Sequence, residues 1–159
     1  MDERISPQPH HLPHSHHLLL LRLRGEHIRH IASDLGWALN HVHSTDGIHA
    51  DFKPLNLVRV GDAWRLIDLD VACAVGQPFG DKRPSTAYCP PELARLIRDE
   101  RPLSEYRASV AYDLWSYGVV LFHLCFGKSL FLSGHDHYGD DQLGRKDLRQ
   151  LAGWSLTDL

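Results

Sequence analysis

The stretch GIHADFKPLNLV, residues 47–58, places Asp51, Lys53 and Asn56 within six residues, directly after His49. A carboxylate accepts protons and hydrogen bonds, an ammonium carries a positive charge with three donors, and a carboxamide both donates and accepts. Together they have the makings of a reaction centre that handles protons and charge. Asp and Asn around a short loop are also ordinary turn formers that bond their own backbone. On this stretch alone both readings stand.

Three further segments follow in order: Ile67-Asp68-Leu69-Asp70, then STAYCPPE from Ser85 to Glu92, then DLWSYG from Asp113 to Gly118. The elements between them must bring these segments together. Ile28, Ile31, Ala32, Leu35, Leu39 and Val42 recur at steps of three and four, which predicts an amphipathic helix from Glu26. STDG, ending in Gly47, supplies turn residues and a glycine able to take positive φ to stop it. NLVRV and WRLI flank a Gly61-Asp62 turn and predict a short β-hairpin ending at Asp68. Residues 71–91 hold four prolines and two glycines without long periodicity, and read as an irregular loop of the length that tends to be functional. PELARLIRDE predicts a short helix with Pro91 in its first turn. YDLWSYGVVLFHLCFG is apolar on almost every face and reads as a helix in the middle of the domain, stopped by Gly127. Helical spacing returns at Leu143, Leu148 and Leu151.

A chain of 159 residues suggests one domain. Its formal charge of −3 gives no broad electrostatic case for nucleic acid or an anionic membrane. The longest apolar stretch, YGVVLFHLCF, falls short of the roughly 20 residues of a membrane span and is interrupted by His123. LLLLRLR lacks a basic leader and a small-residue cleavage site, so it does not read as a signal peptide. Cys73, Cys89 and Cys125 form no CxxC pair and read as reduced, buried thiols. The expected setting is cytoplasmic or nuclear. Residues 1–24, with five histidines between His10 and His17, read as a disordered His/Pro-rich leader, and 25–159 as the folded part.

The four segments in this order resemble the eukaryotic protein kinase superfamily of Ser/Thr type, specifically its C-terminal lobe. HADFKPLN is similar to the HRDxKxxN catalytic loop, DLD to the DFG metal motif, STAYCPPE to the TxxYxAPE segment, and DLWSYG to the DxWSxG helix. The resemblance implies a mainly α fold with a short hairpin, a kinase-like large lobe whose small lobe is absent. It implies ATP-dependent transfer of phosphate to Ser/Thr hydroxyls of proteins, with ATP and Mg²⁺ as cofactors. Asp51 would orient the acceptor hydroxyl and take its proton, and Lys53 would place positive charge near the transferred phosphate. Asn56 and Asp68 would offer oxygens to Mg²⁺. Val58 would floor the adenine pocket. His49 and Leu69 would belong to an apolar stack, Ser85 would bond Asp51 and Lys53, and Asp113 would hold the catalytic-loop backbone.

The pattern also departs from the family. Ala50 replaces the Arg that helps bind an activation-loop phosphate, so a phosphate on Ser85 or Thr86 would not order the loop in the usual way. Asp70 replaces the Gly of DFG. No Gly-rich loop or VAIK-type Lys precedes Glu26, and no Arg is evident to pair with Glu92, which would leave a costly buried carboxylate. Two alternatives therefore accompany a weakly active or inactive kinase fragment. One is a pseudokinase-like interaction module, with a protein partner where the small lobe would dock. The other is a relative of the small-molecule aminoglycoside and choline kinases, whose HxDxxxxN loop and following acid have a similar shape.

Overall fold

A computed structural model describes residues 25–80, 84–131 and 141–155. The His-rich leader lies outside the described residues. Among these residues there are four α-helices and two small antiparallel sheets. In chain order they are α1 (Gly25–Ser44), β1 (Gly47–Ile48), β2 (Leu57–Val60), β3 (Ala63–Leu66), β4 (Cys73–Ala74), α2 (Pro91–Arg98), α3 (Val110–Phe126) and α4 (Arg145–Gly153), with 3₁₀ turns at Pro54–Asn56 and Leu103–Glu105.

The period of α1 buries Ile31, Leu35 and Leu39 on one face. They meet Phe52 of the loop and Val120 of α3, with Trp64, Leu66 and Tyr117 packed around them. Burying each such side chain is worth about 1.5–3 kcal/mol. The opposite face stays wet, with Trp37 exposed. After α1 the left-handed residue is Asp46 (φ 58°), not Gly47. Aspartate tolerates that region through local side-chain bonding, which frees Gly47 to start β1.

The predicted hairpin forms, with Leu57 opposite Leu66 and Val60 opposite Ala63. Asp34 Oδ2 of α1 accepts the Trp64 N–H at 2.8 Å and fixes the hairpin to the helix. The stretch read as wholly irregular contains a second pairing. Ile48 sits opposite Cys73 and Gly47 opposite Ala74, joining β1 to β4. Two-residue strands leave too short an alternation to see in sequence.

A second, larger cluster gathers Ile48, Ala50, Phe79, Cys89, Leu93, Tyr106, Tyr112, Leu143 and Leu151. Phe79 stacks on Tyr112 at 5.3 Å between ring centroids, and Trp115 lies against Phe131 and Trp154. Arg95 of α2 donates to Ala152 O (2.9 Å) and Trp154 O (2.7 Å), which clamps the end of α4.

Helix α3 ends at Gly127 in the left-handed conformation (φ 65°), as its glycine predicts. It is not enclosed on all sides. Tyr112, Asp113, Ser116, Val119 and Val120 are buried, whereas Leu114 and Phe126 are more than half exposed. Its apolar sequence exceeds what the described neighbours cover. The cysteines divide likewise: Cys89 is buried, Cys73 half-buried and Cys125 exposed, and all three are free thiols.

Candidate active site

The loop from His49 to Asn56 is built from inside the protein. Ala50 and Phe52 are both buried, but in different clusters, and Asp51 lies between them at the seam. Ala50 adopts φ 65°, which costs an L-residue about 1–2 kcal/mol. Asp113 of α3 offsets that strain. It is fully buried, and its two oxygens accept the His49 N–H (2.8 Å) and the Ala50 N–H (2.9 Å). His43 Nε2, at 2.9 Å, completes the shell around Asp113. The loop backbone thus hangs from one carboxylate on a core helix.

His49 links this loop to the next segment. Its Nδ1 accepts the Asp51 N–H at 3.2 Å, and its Nε2 donates to Ile67 O at 3.0 Å, which places the ring hydrogen on Nε2. The Ile67 N–H donates to Asn56 O at 2.9 Å. The backbone just before Asp68 is therefore pinned from two directions.

Three polar side chains converge on Asp51, and a fourth reaches the group through Lys53. Ser85 donates to its Oδ1 at 2.7 Å, and Lys53 Nζ lies 3.0 Å from its Oδ2. Asn56 Nδ2 donates to Asp51 O (2.8 Å) and to Oδ2 (3.1 Å). Lys53 also donates to Ser85 Oγ at 2.9 Å, which closes a ring through Asp51, Lys53 and Ser85. The fourth contact was not legible in the sequence: Asp141 Oδ2 accepts from Lys53 at 2.7 Å. It lies in a Gly- and Asp-rich run that reads only as a polar turn, 88 positions beyond its partner. His43, in the last turn of α1, was missed because its partner Asp113 lies 70 positions further on.

Partial burial of Lys53 works against its charged form. Hydrogen bonds and proximity to Asp141 and Asp51 outweigh it, so the Lys53 pKa lies above its ordinary value. Burial, with Glu92 nearby, pushes the Cys89 thiol up to about 12.

Asp68 is exposed at φ 67°, with its Oδ1 accepting the Asp70 N–H at 3.3 Å. Asn56 directs its amide hydrogens at Asp51, leaving its carbonyl oxygen as the available donor atom. One carboxamide oxygen and one exposed carboxylate fit Mg²⁺, a hard cation that keeps several waters. Val58 is half-buried in β2. Leu69 is 60% exposed, whereas His49 is fully buried. Glu92 is exposed in the first turn of α2, so no buried carboxylate is stranded there.

A loop carboxylate ringed by Lys, Asn and Ser, and hung from a buried Asp on a core helix, agrees with what comparison finds. The protein kinase domain family matches residues 14–153, and the chain belongs to that family. It is 30% identical over 129 residues to mitogen-activated protein kinase pmk-1 of Caenorhabditis elegans, covering 80% of this chain and 31% of that protein. To serine/threonine-protein kinase TIO of Arabidopsis thaliana it is 34% identical over 110 residues, covering 67% of this chain and 8% of that protein. The solved Cydia pomonella granulovirus kinase, PK-1, shares the fold, with a TM-score of 0.67 at 24% identity over 84% of this chain and 48% of the other. The chain therefore spans less than a third of these two curated relatives and about half of the solved kinase.

Proposed function

We propose that this chain carries the catalytic-loop part of a Ser/Thr protein kinase, transferring the terminal phosphate of ATP to protein hydroxyls. The observation that carries the reading is the closed ring of Asp51, Lys53 and Ser85 with Asn56 beside it, suspended from Asp113. Phosphoryl transfer demands little covalent chemistry from the protein; it demands positioning and charge. Asp51 Oδ1, now accepting from Ser85, is the atom that would accept a hydrogen bond from an incoming hydroxyl and finally its proton. Lys53 holds positive charge beside the other carboxylate oxygen, Oδ2. Ser85 ties the substrate-side loop to both. Asn56 and Asp68 would hold Mg²⁺, and Val58 would lie beneath the nucleotide base. When bound, Mg²⁺–ATP supplies the phosphoryl group and neutralises the charge that develops on it.

Two other readings remain distinguishable. The exposed Leu55, Val60, Ile67 and Leu69 give the hairpin side an apolar character that favours a pseudokinase-like interaction module. The small-molecule kinase reading draws less support, since the matched family is the protein kinase domain. A cytoplasmic or nuclear setting accompanies the main proposal.

The test is calorimetric titration with Mg²⁺–ATP, followed by transfer to a Ser/Thr peptide library with aminoglycosides and choline as parallel acceptors. Labelled peptide is the expected result. Labelled choline or aminoglycoside would move the chain to the small-molecule class. Absence of binding at millimolar nucleotide would leave the interaction module.

A further inference from the structure

The ammonium of Lys53 has three hydrogens to donate. Three acceptors surround it: Asp51 Oδ2 at 3.0 Å, Ser85 Oγ at 2.9 Å and Asp141 Oδ2 at 2.7 Å. No donor is left over for an arriving anion. Two of the partners belong to the ring that positions Asp51. Asp141 does not, since Asp51 is already held by Ser85 and Asn56.

Asp141 reaches Lys53 because its segment is stitched along the loop that carries Ser85. The Ala87 N–H donates to Asp141 O at 3.0 Å. Gln142 Nε2 donates to Pro84 O at 3.1 Å, and the Leu143 N–H donates to Thr86 Oγ1 at 2.6 Å. Leu143 is buried in the larger cluster and anchors the far end. Residues 141–143 thus form a short strap over residues 84–87, with one carboxylate directed at the Lys53 charge. Side-chain exposure of Lys53 and Asp141 is 14% and 19%, so the pair is screened less than a surface ion pair.

We propose that this strap is autoinhibitory: Asp141 occupies the place on Lys53 that a phosphoryl oxygen takes during transfer, and the reaction requires its displacement. The proposal rests on the phosphate-facing role of Lys53 given above. A carboxylate and a phosphate oxygen are both anionic acceptors suited to an ammonium, so they compete for the same hydrogen. The competition is intramolecular, which gives Asp141 a high effective concentration. Loosening of the strap, by a partner or by modification within it, raises the affinity of the site for an anionic ligand.

The test reads Lys53 directly and does not depend on catalysis. In the 159-residue chain, competitive acylation with acetic anhydride followed by peptide mass spectrometry reports Lys53 against Lys128 and Lys146, both exposed. Asp141→Asn removes a group that favours the charged amine and a partner that covers it. The Lys53 rate is expected to rise severalfold while the two reference lysines hold steady. Inorganic phosphate, used as the probe, is then expected to protect Lys53 at severalfold lower concentration in Asp141→Asn than in the parent. Asp141→Glu keeps the charge and should behave as the parent in both measurements.

An unchanged Lys53 rate, or equal phosphate protection in variant and parent, including none in either, overturns the proposal. If Asp141→Asn does not fold, Gln142→Ala removes one of the three stitches of the strap, the bond to Pro84 O, and must shift both readouts in the same direction. The outcomes separate cleanly from the catalytic reading. Failure to phosphorylate any peptide with the Lys53 shifts intact removes the protein kinase activity and leaves the strap; active transfer without the shifts removes the strap alone.

Discussion

At the residue scale, the site is a set of hydrogen-bond donors aimed at one carboxylate. Asp51 accepts from Ser85, Lys53 and Asn56. Asp51→Asn keeps the shape but turns one acceptor oxygen into an NH₂ that faces donors. In a preparation that transfers phosphate, kcat should fall by about 10²–10⁴, the usual contribution of a positioned acid–base group. The fold should persist, with stability lowered by about 1–3 kcal/mol for the donors left unmatched. Single-turnover transfer and a urea melt read the two effects separately, and a variant as active as the parent would refute the role given to Asp51. The quoted stretch reads as a candidate centre because Asp51, Lys53 and Asn56 lie close in sequence. Asp141 could not be read that way: nothing local distinguishes its carboxylate from its neighbours in a polar turn.

At the element scale, α3 is both a core helix and the support for the loop. Asp113 sits in its first turn and is fully buried, and its two oxygens satisfy two backbone amides of a loop 64 and 63 residues earlier. Asp113→Ala strands the His49 and Ala50 donors in the interior. At about 1–3 kcal/mol for each orphaned group, the chain should lose about 2–6 kcal/mol. The measurement is the urea midpoint, expected to drop with little change in slope. A midpoint equal to the parent's would mean that those amides find other partners. Periodicity made α1, the hairpin, α2 and α3 legible, since each has its pattern in adjacent residues. It overstated the burial of α3, because an apolar face announces itself in sequence whether or not a neighbour covers it.

At the scale of the whole molecule, two apolar clusters meet at the loop that carries Asp51, and several groups packed there hold their protons more tightly than in the unfolded chain. Burial raises Tyr112 well above its ordinary 10.0, Tyr106 to about 12 and Cys89 to about 12 from 9.0. Lys53 is raised from 10.5, its carboxylate partners outweighing partial burial. Each of these groups has a folded pKa above its unfolded one, so the folded state carries more protons in that window. Their contribution is complete below about pH 9 and is lost as pH climbs towards 12. The urea midpoint should therefore decline across this alkaline range, and Tyr112→Phe combined with Cys89→Ala should flatten the decline. A midpoint that holds constant through the range would contradict the buried placement of these side chains. By itself the sequence determined the helices, the β2–β3 hairpin and the order of four motifs, because helical period, hairpin turns and motif spacing are written in neighbouring residues. It also determined which residue types were present to do chemistry. Only the tertiary structure decided that Asp113 holds the loop, that Glu92 and Leu69 face outward, and that Asp141 takes a hydrogen from Lys53. Those outcomes depend on which distant segments share a dielectric environment and a few ångströms of space, and no local pattern encodes that distance.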